Sequence, residues 1–128
     1  MPHLIIEYTA NLKEETDMME LLKKVNDSLL SHSTIIPIGG LRTRAIEIKD
    51  YLIADGTEDD AFVHATLKLG GGRTEEEKKL LCNDLFATIK DHFIDLYEKR
   101  YLALSLELHE FTNPTYKQNN IHARYKKE

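Results

Sequence analysis

Two stretches of this chain share one plan. Pro2 opens an alternating run and precedes Lys13 by eleven positions; Phe62 opens another and precedes Arg73 by the same interval. Each basic residue stands just ahead of an acidic helix start, "EET" in the first half and "TEEE" in the second. A chain that passes twice from a period of two to a helical period and back reads β-α-β, then β-α-β. Identity between the halves is low, so the inference of a duplicated unit rests on pattern. Right-handed crossovers predict an α/β fold, a four-stranded sheet with two helices packed on one face. The expected organisation is one domain over residues 1–128, with halves of about 2–50 and 61–110 and a C-terminal arm over 111–128.

The local signals follow that plan. Residues 3–9 are rich in Leu, Ile and Tyr and predict a first strand. Met18, Leu22, Val25 and Leu29 make one apolar stripe on a helix expected from about Glu15 to Ser31. A second strand is expected near Leu41, and in "RTRAIEI" the period of two puts Arg42, Arg44, Ile46 and Ile48 on one face. "YLIADGTEDDAF" continues the extended chain into a turn at Asp55-Gly56. The third strand, from about Phe62 to Leu69, is expected to pair antiparallel with the second.

The clearest boundary is "GGGRTEEEKK", where three glycines end the strand and Thr74 with Glu77 forms a capping box. One long helix then carries Leu81, Leu85, Ile89, Phe93 and Leu96 down one side, and "LALSLELHEF" alternates as the fourth strand. The tail from Asn113 is polar and basic at its end, an arm over the surface or onto a partner. With both helices on one side, the other sheet face is expected to carry apolar residues and to need a cover, most simply another copy of the chain.

Composition narrows the function classes. A formal net charge of −5 argues against a nucleic-acid partner, and an anionic ligand would need arginines gathered locally to overcome it. No apolar run approaches the roughly 20 residues that span a bilayer, and no signal-peptide pattern opens the chain. The single cysteine, Cys82, forms no internal disulfide, which suits a reducing compartment; a cytoplasmic protein is expected. Cys82 lies near the apolar stripe of the long helix and reads as core.

Pro2 by position alone is open to two readings. Proline lacks the N–H a ladder needs and is tolerated at strand starts. Removal of Met1 would instead leave it a free secondary amine. An α-amine has a reference pKa of about 7.7–8.0, and apolar burial and neighbouring arginines both lower it. Such an amine is uncharged near neutrality and fit to act as a general base. A retained Met1 would turn it into an amide and abolish that chemistry.

Arg42 and Arg44 share a strand face, and Arg73 stands at a helix N-terminus, where guanidinium groups and free N–H donors favour carboxylates. Gly70–Gly72 lack the ending of a P-loop and the spacing of a dinucleotide fingerprint. The six histidines show no HExxH or paired-ligand spacing, so no metal site is expected; His64, on a strand face, reads as a packed residue or as one that supports a site from behind.

Pro2 at the head of a strand, the βαβ duplication and "GGGRTEEEKK" together resemble the tautomerase superfamily. Within it, "MPHLIIEY", "IIPIGGLRTR", "DGTEDDAFVHATLKLGGGR" and "ALSLELHEFTNPTYKQNNIHA" resemble the 5-carboxymethyl-2-hydroxymuconate isomerases nearly end to end. The resemblance implies a homotrimer whose amino-terminal Pro2 is the catalytic base. Arg42 and Arg73 would bind the carboxylates of a di- or tricarboxylate substrate, with Arg44 as a helper. Lys13 stands where smaller members of the superfamily place an arginine; that role falls to Arg73, and Phe62, the counterpart of Pro2, has no amine to offer. No metal or organic cofactor is implied. The implied reaction is ketonisation of a dienol in homoprotocatechuate degradation. Decarboxylation, dehalogenation or phenylpyruvate tautomerisation would use the same proline, and a non-catalytic trimeric binding module would leave it idle.

Overall fold

The computed structural model describes residues 1–126. β1, His3–Thr9, buries Leu4, Ile6 and Tyr8 on one side and directs His3, Ile5 and Glu7 to the other. After a 3₁₀ turn at Ala10–Leu12, the chain enters α1, Met18–Leu30, capped by the Asp17 carboxylate on the Glu20 N–H at 3.1 Å. The helix therefore starts three residues after the expected Glu15, because "EET" is spent on the turn and the true cap is Asp17. Its fully buried stripe is Leu21, Val25 and Leu29, with Met18 and Leu22 flanking it.

β2, Arg42–Ile48, lies parallel to β1, as a strand-helix-strand crossover requires. β3, Ala61–Gly70, alternates buried and half-buried residues along its whole length. It pairs antiparallel with β1 rather than with β2, giving the order β2-β1-β3-β4. That corrects the expected β2–β3 hairpin. The intervening residues 49–60 form no strand; they are a long loop with a turn at Asp55-Gly56, long enough to carry the chain past the end of β1. The two strands with the most buried side chains thus occupy the centre, and β2, with two arginines and a glutamate, sits at an edge where charged side chains reach water.

The capping box at Thr74 and Glu77 forms as expected and opens α2, Glu75–His92. Leu81, Leu85, Ile89 and Phe93 are buried against the sheet, each contributing about 1.5–3 kcal/mol. The long helix does not run unbroken to Leu96. Phe93 leaves helical geometry at φ −99°, ψ 12° to sink its ring into the core, and a short α3, Ile94–Lys99, follows. β4, Leu102–Phe111, closes the sheet parallel to β3. One hydrophobic cluster fills the space between the helices and Leu4, Ile6, Val63, Ala65 and Leu67.

The opposite sheet face is mixed rather than apolar. Ile46 and the flanking Ile5 and Phe62 alternate there with Arg44, His64 and Lys68. His64 meets Ser105 at 2.6 Å and Glu107 at 3.3 Å, a polar pairing on the sheet surface rather than a place in the core. No helix among the described residues is long and apolar enough to cross a membrane.

Candidate active site

Strand direction decides which sequence candidates meet. β1 and β3 are antiparallel with His3 opposite Lys68, so the start of β1 adjoins the end of β3. Arg73 follows that end by three residues. β2 is parallel to β1 with Arg42 opposite His3, and the Arg42 N–H donates to the Pro2 carbonyl at 3.1 Å. Pro2, Arg42 and Arg73 therefore share one corner. Lys13 leaves the other end of β1 and pairs with Glu47 at 3.3 Å, remote from Pro2 despite its equivalent place in the first half.

Pro2 is buried and Met1 half-buried. The Met1 amine is held below its ordinary value of 8.0, first by burial, then by the positive charges of Lys117, Arg73 and Arg42. The nitrogen of Pro2 is an amide while Met1 precedes it.

The two arginines are held differently. Arg73 donates from Nε and Nη2 to the Ile35 carbonyl at 3.2 and 2.9 Å, and from Nη1 to the Gly70 carbonyl at 3.1 Å. One N–H on each terminal nitrogen remains for a ligand. Among the described residues Arg42 makes only long contacts from Nη1, 3.3 Å to the Gly39 carbonyl and 3.4 Å to that of Leu41, which leave most of its fork uncommitted there. Arg44 lies further along the open face and donates from Nη1 to His3 Nδ1 at 3.1 Å. His3 is held below its usual 6.5, by burial first and then by Arg44, which keeps it an uncharged acceptor.

The C-terminal arm joins this corner, which nothing in its polar sequence announces. It folds back on its own chain, where Asn119 and a 3₁₀ segment, Ile121–Tyr125, pack on the turn at Ile38–Gly40. Lys117 and His122 come with it; the only sequence trace of their docking is the Gly39-Gly40 pair. Lys127 and Glu128 of the arm lie outside the described residues. Cys82 is half-buried on α2 with its thiol pushed up by burial, an unreactive packing position. A groove of about 760 Å³ between α2, α3 and β4 lies at the opposite end of β3, where Leu102 pairs with Ala61, and no arginine or histidine lines it.

The chain as a whole has close relatives. The profile of the 5-carboxymethyl-2-hydroxymuconate isomerase family matches residues 2–125. The chain belongs to that family. It is 44% identical over 128 residues to 5-carboxymethyl-2-hydroxymuconate Delta-isomerase of Escherichia coli, covering 98% of this chain and all of that protein. A crystal structure of a 5-carboxymethyl-2-hydroxymuconate isomerase from Deinococcus radiodurans R1 superposes with a TM-score of 0.93 at 49% identity, covering 98% of this chain and 95% of that one. A fused 4-OT described as a symmetric trimer shares the fold at a TM-score of 0.62 and 18% identity, over 94% of this chain and 98% of its own. The fold is that of the tautomerase superfamily, and the family is one of isomerases.

Proposed function

We propose that this chain, once Met1 is removed, converts 5-carboxymethyl-2-hydroxymuconate to 5-carboxy-2-oxohept-3-enedioate, with the Pro2 amine as general base. The carrying observation is the convergence of buried Pro2 with Arg42 and Arg73, built by the antiparallel β1–β3 and parallel β1–β2 registers. Processing exposes an amine deeper in the pocket that already lowers the Met1 amine. A neutral secondary amine takes the proton of the 2-hydroxyl. The C2–O bond becomes a carbonyl, the two conjugated C=C bonds collapse to one at C3–C4, and a proton is delivered to C5. Carboxylates paired to Arg42 and Arg73 fix the dienol plane and offset the charge that develops on its oxygen. Every bond change is a proton or π-electron shift within the substrate, so no cofactor enters the balance. The place of such a step is in homoprotocatechuate degradation, in the cytoplasm.

The chain is proposed to work as a homotrimer. The mixed open face, with Ile46 45% exposed, and the apolar groove along β4 are surfaces a second copy covers. Light scattering in line with gel filtration should give three times the 14.8 kDa chain mass; a monomeric mass refutes the assembly.

Two measurements test the chemistry together. Intact mass is expected to show loss of Met1, and an ultraviolet assay is expected to show turnover that falls by orders of magnitude in Pro2→Ala. A processed protein inert toward this substrate refutes the substrate; full activity in Pro2→Ala refutes the base.

A further inference from the structure

The amino terminus and the C-terminal arm meet on one turn. Asn119 Nδ2 donates to the Gly39 carbonyl at 2.8 Å, and its Oδ1 accepts the Ile121 N–H at 2.7 Å. The same Gly39 oxygen accepts from Arg42 Nη1, so one acceptor ties the arm to an arginine of the site. His122 presses on Gly39 so closely that a Cβ there would stand 2.5 Å from its Nδ1 and 2.8 Å from its Cα. Only glycine leaves that room. Across Gly40, His122 Cε1 and Pro2 Cδ lie 3.5 and 3.6 Å from the point a Cβ would occupy, so the arm and the head of β1 face each other over a bare backbone.

Two residues before the Asn119 anchor stands Lys117. It is exposed, and among the described residues it has no carboxylate within ion-pair distance. Its charge acts on the Met1 amine ahead of those of Arg73 and Arg42. Two arginines suffice for two carboxylates, and a tricarboxylate leaves one over.

We propose that the docked C-terminal arm is a wall of the binding site and that its Lys117 takes the third carboxylate of a tricarboxylate substrate. The inference deepens the proposed function and rests on its placement of the ligand beside Pro2. Arg42 and Arg73 hold the two carboxylates common to muconates, and Lys117 selects for the extra carboxymethyl arm. An ammonium serves here because a single charge on a flexible stem can meet a carboxylate that carries no fixed orientation. Asn119 is a positioning residue, holding Lys117 through the Gly39 carbonyl.

The test compares 5-carboxymethyl-2-hydroxymuconate with 2-hydroxymuconate, which lacks the third carboxylate, in wild type, Lys117→Met, Lys117→Arg and Asn119→Ala. Loss of one charge-assisted hydrogen bond should lower the tricarboxylate-over-dicarboxylate ratio of kcat/KM by about tenfold in Lys117→Met. The loss should fall on KM, Lys117→Arg should restore the ratio, and Asn119→Ala should lose part of it. An unchanged ratio in Lys117→Met overturns the proposal. Should the wild type turn over neither compound, the enzymatic reading fails while this one is still decided by calorimetry with propane-1,2,3-tricarboxylate and pentanedioate. Preferential weakening of the tricarboxylate in Lys117→Met supports it, and equal or absent weakening overturns it.

Discussion

Arg73 is asked to do two things, and its substitution separates them. Three of its five N–H groups bind backbone carbonyls, two on Ile35 and one on Gly70, fastening the segment ahead of β2 to the start of α2. That segment leads to Gly39, Leu41 and Arg42, so the clamp also sets where Arg42 begins its strand. Each bond carries a formal charge and is worth about 1.5–3 kcal/mol in favourable settings. The side chain is only half-buried, and the three bonds share one group, so they do not add. Arg73→Ala should cost about 2–4 kcal/mol, and Arg73→Lys, whose ammonium reaches one carbonyl, about 1–2 kcal/mol. For a chain of this size that is roughly 3–4 °C of Tm per kcal/mol. Urea unfolding at fixed protein concentration, beside kcat/KM on the muconate substrate, reads both roles. Arg73→Lys should lose stability and turnover together, since it keeps the charge but not the fork. Unchanged unfolding midpoints in both variants would refute the clamp and leave Arg73 as a ligand-binding group alone.

The pH profile follows from the amine. A base must be unprotonated, and the terminal amine is lowered from 8.0 by burial first and then by cationic neighbours. In the processed protein, kcat/KM should be low in acid and rise through a limb centred below the titration of a free peptide that begins with proline; a limb at or above that of the peptide contradicts the pocket's effect. At the far corner, Arg100 pairs with the Glu15 and Asp59 carboxylates and donates to the Asp59 carbonyl, joining the α1 approach to the β2–β3 loop. Asp59 is 81% exposed, so Arg100→Met should cost only about 1–2 kcal/mol, shrinking in about 1 M salt. A salt-independent loss in urea unfolding would point to packing of the arginine stem instead.

The elements of this fold are legible because each is written in local chemistry. Alternation marks β1, β3 and β4, and Thr74 with Glu77 marks the start of α2. Misplaced boundaries arose where two local signals competed. At the first helix "EET" resembles an acidic start, but Asp17 provides the cap; at Phe93 an apolar stripe continues although burial of the ring breaks the helix. The pairing of β3 was not legible at all, since a twelve-residue loop allows a hairpin or a crossing equally and only total burial chooses.

Sequence alone determined that Pro2 heads a strand, that Arg42 and Arg44 share a face, and that a cation stands just ahead of each acidic run, because period and position are properties of the chain. Tertiary structure decided which of those cations come near Pro2. The antiparallel β1–β3 pair brings Arg73 to it and sends Lys13 to the opposite end of the sheet. Arg44 is turned to His3, and Lys117 arrives from more than a hundred residues away, docked through a glycine too tight for any side chain. Charges separated that far along a chain meet only when the backbone between them has folded, and no spacing records it.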